Sequence, residues 1–498
     1  MRHVVVVGGG VSGLVAAYRL RALLGPDARI TLVEQANRLG GKLRTVPVGG
    51  VPTDVGAEAF VLRNPAAAAL AGELGLELIH PGPAGATVRA GGRTVRLPRR
   101  TFLGVPADAG EVRGVLSADG ASRVAGEASL PPLELPADGD RAVGEVLAER
   151  FGRELVDRLV EPLLGGVYAG RADELGLRAT MPALVARLQA AGGSLTRAAA
   201  GIVGGTASGP GGGAGSGGER RPKSPEGDLR DAQRPEGHLQ GTRPPVFGAL
   251  RGGMGVLVDA LARAARADVR LGYPVRELAR ELDGWRLEIG SPGRAEVLHA
   301  DAVVLAVPPP AARRLLEPVA PEAARGFAGI EVGSMAVLSM VLPDTVTLPD
   351  SSGVLLAVGQ RHSDGTPFTA KAFTHTSVKW GSAPVRLRAS IGRVGETELL
   401  RRDDQELLAG VLGDLRELTG IDARPLDWVI TRWGGGLPQY GVGHVAAVEA
   451  IERAVAAVPG LAVAGASFRG VGIPACVETA TAAAERVAAH LLEHTAAR

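Results

Sequence analysis

The residues best placed to do chemistry are Gly8-x-Gly10-x-x-Gly13, with Glu34 twenty-one positions beyond Gly13. Three glycines at this spacing suit the turn between a strand and a helix. Gly8 permits the tight turn, Gly10 lets the backbone approach a pyrophosphate, and Gly13 lets the helix pack closely on the strand. The start of that helix offers unpaired N–H groups and partial positive charge, which suit phosphate oxygens. Glu34 would accept hydrogen bonds from ribose hydroxyls. A glycine-rich turn in any α/β protein could show the same bare pattern, so the flanks decide its meaning. His3–Val7 is a β-branched run that reads as a strand buried on both faces. Leu14–Leu20 has a helical pattern, and Arg29–Val33 is a second strand closed by Glu34. Together they make a complete β-α-β unit, and in that context the glycines point to a dinucleotide. No Ser-His-Asp arrangement, metal-ligand spacing or carboxylate pair competes with it. The 9 histidines are scattered, and His362, His375 and His444 read as loop or packing residues.

The elements that must position this turn are spread along the chain. A second glycine pair follows in Gln35-Ala36-Asn37-Arg38-Leu39-Gly40-Gly41-Lys42, then Asp54-Val55-Gly56-Ala57-Glu58-Ala59-Phe60. It brings more backbone close to a ligand, and Lys42 supplies a cation for phosphate or ribose. Val88–Leu97 reads as a hairpin around Gly91-Gly92. The stretch from about Val143 to Ala191 is helical by period, with stops expected at Gly165-Gly166 and Gly192-Gly193. Gly252-Gly253-Met254 opens a helix through Ala265, followed by strands at Asp268–Leu271 and Asp301–Val307. Met335–Leu342, Gly353–Val358 and Val385–Ile391 read as strands of an antiparallel sheet, and Asp403–Leu418 as a helix. The chain closes with a strand, Leu461–Ala464, a glycine loop, and a helix from about Pro474 to Glu493, where Pro474 suits the first turn.

Composition bounds the remaining classes. The 498 residues suggest about three folding units, and 45% are hydrophobic, enough for a sizeable core. The net charge of +2 supplies no field to attract nucleic acid or an anionic membrane. No apolar run reaches the roughly eighteen residues needed to span a bilayer. The single cysteine, Cys476, fits a reducing compartment, and the N-terminus lacks a signal-peptide pattern, so a cytoplasmic protein without a transmembrane segment is expected. Between 204 and 245 the apolar side chains, alanines aside, are Leu229 and Leu239, which predicts a disordered insertion.

The glycine doublet with Lys42 resembles the signature of the large FAD oxidase superfamily that contains amine oxidases, phytoene desaturases and protoporphyrinogen oxidases. Further segments narrow the resemblance. Glu161-Pro162-Leu163-Leu164-Gly165-Gly166-Val167-Tyr168-Ala169-Gly170, Gly252-Gly253-Met254, Trp433-Gly434-Gly435-Gly436-Leu437-Pro438-Gln439-Tyr440 and Gly465-Ala466-Ser467 look like the oxygen-dependent porphyrinogen oxidases. These are the protoporphyrinogen oxidases and the Gram-positive-type coproporphyrinogen III oxidases. The likeness spans nearly the whole chain, missing 204–245 and part of 107–138.

The resemblance implies an α/β fold: a Rossmann-like FAD-binding domain with an inserted mixed α+β substrate domain and a helical lobe. The FAD-binding domain would comprise 1–85, 247–310 and 430–498, the substrate domain 86–100 and 311–429, and the lobe 101–200. Carried over by position, FAD contacts would come from Gly8, Gly9, Gly10, Val11, Ser12, Gly13, Glu34, Gln35, Lys42, Gly56, Ala57, Glu58 and Ala59. Val275 would touch the adenine side through its backbone, and Val471, Gly472 and Ile473 would hold the ring. Trp433 would lie near the flavin, or pack as a core aromatic. Tyr168 is the candidate for shaping the substrate face, though it too could simply pack.

The implied reaction is oxidation of a porphyrinogen by FAD with dioxygen as acceptor and hydrogen peroxide as product, in heme biosynthesis. The Leu163–Gly170 segment looks closer to the coproporphyrinogen III branch than to the protoporphyrinogen IX branch. The acidic propionates need cations. Arg44, Arg63, Lys371, Lys379 and Arg388 are on offer, and the sequence does not select among them. A ferrochelatase receiving the porphyrin is the partner such a pathway implies. Two other readings stay open: an amine or carotenoid oxidase, and a flavin-free binding module of the same fold, like the GDP-dissociation inhibitors of prenylated GTPases.

Overall fold

A computed structural model of the chain describes residues 2–136, 139–204 and 245–496. Its centre is a five-stranded sheet in the order Asp268–Leu271, Arg29–Glu34, His3–Val7, Ala302–Leu305, Leu461–Val463. All neighbours run parallel. The opening strand shows why the valine run folds this way. Val4 and Val6 face one core, formed with the helices Val11–Leu24, Gly255–Ala265 and Ile473–Ala496. Val5 and Val7 face a second core, formed with an antiparallel sheet (Val275–Glu281, Gly284–Ile289, Glu296–Ala300) and the helices Pro309–Leu316 and Pro321–Ala328. A strand covered on both faces needs apolar side chains at every position, as parallel strands do.

The second sheet has seven strands in the order Asp427–Pro438, Val332–Val341, Arg386–Ile391, Ala370–Thr374, Gly353–Leu356, Thr87–Ala90, Arg93–Arg96. It is antiparallel as expected, with one departure: Gly353–Leu356 runs parallel to Thr87–Ala90. The expected boundary at 430 falls within its edge strand Asp427–Pro438. Ala336, Leu338 and Met340 alternate onto one face with Leu387, Ala389 and Ile391, where Leu407, Val411 and Leu415 of helix Asp404–Thr419 cover them. Asp403 and Glu406 form a reciprocal capping box at the start of that helix.

The helical lobe packs on the far end of this sheet, with Val88 and Ala90 sharing its core with Val143, Leu147, Leu159, Leu164 and Leu184. Inside it, buried Glu127 accepts a hydrogen bond from Arg150 at 2.8 Å and from the backbone N–H groups of Leu195 and Thr196, which start helix Leu195–Gly204. The expected stop at Gly165-Gly166 is not there. After a wide π-type turn at Val156–Val160, helix Glu161–Tyr168 runs through both glycines and ends where Ala169 turns left-handed at φ 51°. Burial of the surrounding Leu164 and Tyr168 offsets the cost of about 1 kcal/mol that each glycine brings to a helix. The stop at Gly192-Gly193 does occur, with both residues at positive φ. Apart from its two end positions, the expected insertion at 204–245 lies outside the described residues. Among the described residues no helix is long and apolar enough to cross a membrane.

Candidate flavin and substrate site

The three glycines of the opening turn do different work. At Gly8, with φ 107°, a Cβ would lie 2.3 Å from the Ala306 carbonyl oxygen, and at Gly13 it would lie 1.8 Å from that of Gly8. Both are therefore demanded by the fold itself. A Cβ on Gly10 would meet nothing nearer than the Gly41 Cα at 4.0 Å. Its bareness lets the Gly10 backbone lie against the second glycine pair, where a Cβ on Gly41 would stand 3.1 Å from the Gly10 Cα. Gly10 is also the residue that starts helix Val11–Leu24, with no side chain capping it. The N–H groups of the first turn, at Val11, Ser12 and Gly13, lack intrahelical partners.

Glu34 ends the neighbouring strand, and its two oxygens accept from Gly9 N at 2.6 Å and Ala36 N at 2.7 Å. The backbone fixes the carboxylate, while its remaining lone pairs are free to accept from hydroxyls. Gln35 beside it is exposed. Tyr273 N donates to the Glu34 carbonyl at 2.9 Å, leading the chain to Val275, whose own carbonyl accepts from Arg314 at 2.8 Å.

The second glycine pair lies against the first turn. Gly40 N donates to Gly9 O at 2.8 Å, and the Lys42 carbonyl accepts from Ala57 N at 3.1 Å. A Cβ on Gly56 would lie 1.9 Å from that Lys42 oxygen, so the 56–59 segment is pressed onto the doublet. The half-buried Lys42 ammonium meets no carboxylate among the described residues, and burial pushes its pKa below the ordinary lysine value. Trp433 arrives from the seven-stranded sheet. Its indole N–H donates to Val55 O at 2.9 Å, its ring edge would be 3.0 Å from a Cβ on Gly56, and the Arg38 guanidinium lies 5.9 Å from its ring centroid. It packs, and it packs on the backbone that carries the expected FAD contacts.

The chain's far end closes on the same place. Buried Cys476, in the first turn of the last helix, lies beside Ser12 of the first helix, and the two helices pack together. Just before it, the 465–473 loop is held by Tyr440, whose hydroxyl donates to Ala466 O at 2.7 Å and accepts from Gly470 N at 2.9 Å. Tyr440 is fully buried, stacks on His444 at 3.9 Å, and meets Tyr168 at 5.4 Å between ring centroids. His444 in turn hydrogen-bonds the Phe468 carbonyl at 3.1 Å, a packing role. His362 pairs with Asp414 and His375 with Ser351, both away from this loop. Tyr168 is buried, and burial pushes its hydroxyl up to about 12. The hydroxyl has no hydrogen-bond partner among the described residues. Tyr440 was not singled out from the sequence; its place at the end of the Trp433–Tyr440 segment was the available signal.

The candidate cations divide sharply. Lys379 and Arg388 are both spent on Glu58, at 2.5 and 2.8 Å, and Arg388 also donates to Gly56 O at 2.8 Å. Burial alone would raise the Glu58 pKa, but Arg388 and Lys379 outweigh it and hold the carboxyl at about 2. Any cofactor contact from this residue would therefore be through its backbone. Arg63 is exposed over the Phe102 ring, and Arg44 is half-buried. Lys371 alone of the five is buried without a partner. A clamp missed from sequence is Asp54, which accepts from Thr45 Oγ1 at 2.5 Å and Met254 N at 2.9 Å and so docks helix Gly255–Ala265. Burial pushes the Asp54 carboxyl up to about 6.

These residues fit a dinucleotide flavin: two glycine turns with bare backbone side by side, a helix start with no side-chain cap, an oriented acceptor carboxylate, and an ammonium without an acid among the described residues. The chain belongs to the flavin-containing amine oxidoreductases, whose family model matches residues 11–488, and its cofactor is FAD. Within that class its relatives are porphyrinogen oxidases. Coproporphyrinogen III oxidase of Mycobacterium tuberculosis (strain ATCC 25618 / H37Rv) is 39% identical over 484 residues, 96% of each chain. That of Bacillus subtilis (strain 168) is 29% identical over 97% of each chain. A solved structure from Exiguobacterium sp. 255-15, assigned as a protoporphyrinogen oxidase, superposes with a TM-score of 0.79 at 30% identity, covering 98% of this chain and 99% of that one.

Two outcomes follow. Gly13→Ala should lower the melting temperature of the apoprotein, whereas Gly10→Ala should leave it unchanged and weaken FAD binding, by roughly tenfold or more for a misplaced pyrophosphate contact; calorimetry of apoprotein and flavin titration separate them. Because the Glu58 pKa is lowered on folding, its ion pairs stabilise fully above the ordinary value of 4.5, and that stability is lost as pH falls toward about 2. Acid unfolding of Glu58→Gln should therefore start from lower stability at neutral pH and converge on wild type in that window.

Proposed function

We propose that this chain is an FAD-dependent oxidase that converts coproporphyrinogen III to coproporphyrin III in heme biosynthesis. The observation that carries the reading is the near-full-length likeness to coproporphyrinogen III oxidases, in a chain whose two ends meet at Ser12 and Cys476. When bound, FAD supplies the two-electron acceptor for dehydrogenation of the macrocycle, with dioxygen as final acceptor and hydrogen peroxide as product.

The protein's own part is to bind, orient and exclude. Gly8–Gly13 and the first-turn N–H groups would receive the pyrophosphate, Glu34 the ribose hydroxyls, and Lys42 a phosphate or ribose oxygen. The backbone at Gln35, Gly56–Ala59 and Val275 would line the adenosine and flavin path, with Trp433 as a wall. Val471, Gly472 and Ile473 would hold the ring edge at the start of the last helix, where the dipole favours negative charge. Tyr168 would bound the substrate side. With its pKa at about 12 it stays protonated, so it serves as a hydrogen-bond donor and wall and does not act as a base. The pyrrole proton leaves to solvent.

Protoporphyrinogen IX is the competing substrate. A cytoplasmic location belongs to the same proposal, and Cys476, a buried free thiol, suits a reducing compartment. Transfer of the product to a ferrochelatase is the hand-off this reading implies.

Purified holoenzyme should be yellow and should form coproporphyrin III, followed by fluorescence, faster than protoporphyrin IX. A protein that takes up no FAD, or that turns over protoporphyrinogen IX faster, would overturn the reading. Tyr168→Phe should keep its FAD, lose a few-fold in kcat/KM as a single neutral hydrogen bond would, and show no change in pH profile between about 6 and 10, since the lost hydroxyl does not titrate there.

A further inference from the structure

Lys371 occupies an unusual position in the seven-stranded sheet. Ala370 pairs with Ile391 and Ala372 with Ser390, so Lys371 is the extra residue of a bulge between them. Such bulges re-aim a side chain and recur beside active sites. The residue is 4% exposed, and its Nζ has no hydrogen-bond partner among the described residues. A buried ammonium without an acid is costly, because its lost hydration is not replaced.

The nearby charges do not supply a partner. Arg393 carries the same sign, and its own Nε is also buried and unpartnered. Glu396 accepts from Arg393 N at 2.9 Å and lies 3.6 Å from Arg171. Glu161 accepts from Ala172 N at 2.6 Å. Both acids attract Arg393, and Glu396 also attracts Lys371, but neither forms an ion pair with Lys371 or Arg393 among the described residues.

Their location gives this meaning. Strand Ala370–Thr374 packs against helix Glu161–Tyr168. Arg393 Nε lies 3.6 Å from where a Cβ on Gly165 would stand, and Val394 N donates to Ala169 O at 2.8 Å, one residue beyond Tyr168. The cations therefore sit beneath the helix that ends at the proposed substrate wall. We propose that Lys371, with Arg393 beside it, receives a propionate carboxylate of the substrate and makes the enzyme select coproporphyrinogen III over protoporphyrinogen IX. This rests on the porphyrinogen reading above and adds the group that sets its specificity. Coproporphyrinogen III carries propionates at positions where protoporphyrinogen IX carries vinyl groups, so a buried cation discriminates between them by charge. Burial and the like charge of Arg393 hold the Lys371 ammonium down to about 7, so an arriving carboxylate also stabilises its charged form.

Lys371→Met, as FAD-loaded holoenzyme, tests this with both porphyrinogens. KM for coproporphyrinogen III should rise by about 10- to 100-fold, the range for a lost hydrogen bond to a charged group, while KM for protoporphyrinogen IX stays within about twofold of wild type. FAD content should be unchanged and the melting temperature equal or higher, since an unpaired buried charge has been removed. Lys371→Gln should fall between. Equal losses on both substrates, no loss on either, or a lowered melting temperature would overturn the proposal and mark Lys371 as structural. A wild-type enzyme that oxidises neither porphyrinogen would instead overturn the functional reading from which it starts.

Discussion

The approach of the first helix to the first strand sets the geometry for the rest of the molecule. Gly13 passes so close to the Gly8 carbonyl that a single methyl group would collide with it, and Gly8 itself must turn at positive φ beneath Ala306. Only with both glycines in place does the helix start above the end of the strand with its N–H groups uncapped. The same start lets Ser12 meet Cys476, so the last helix packs beside the first. One close contact between backbones therefore sets where the first helix starts and lets the first and last helices of the 498-residue chain pack together.

Tyr440 does a comparable job at the start of the last helix. The loop before the last helix is rich in glycine and could adopt many shapes. A single buried hydroxyl, bonded to Ala466 and Gly470, fixes it. Tyr440 also packs on Tyr168, its carbonyl accepts from Gly176 N at 2.7 Å and Gln439 donates to the Tyr168 carbonyl at 2.8 Å, so the helical lobe is registered to the 439–443 segment. The seven-stranded sheet is tied in from a third direction, by Trp433 on Val55 and by Lys379 and Arg388 on Glu58. Ile473, Phe468 and Val471 belong to three different cores, which thus converge on the 465–473 loop.

Electrostatics separates structural from available charge at this junction. Glu58 with its two cations is a closed network, held ionised against burial. Lys371 and Arg393 form a looser one, with nearby acids that attract them but no direct ion pair among the described residues. Burial is common to both; the presence of a partner decides which can serve a ligand.

Much of the cofactor half was legible in the sequence because its rules are local. Strand, turn and helix at 3–24 follow from consecutive residue types, since a glycine's freedom and a β-branched run act over a few positions. The Asp403–Glu406 capping box and the alternation along Val332–Val341 are local in the same sense. Helix Glu161–Tyr168 was misread at Gly165-Gly166 because intrinsic propensity is weak and packing overrode it. The fate of the cations was decided by tertiary structure alone. Lys379 and Glu58 are 321 positions apart, and no spacing in the chain announces that they meet while Lys371 has no hydrogen-bonded acid among the described residues. Ion pairing acts through space between groups the fold brings together, so the sequence named the charges and only the folded chain paired them.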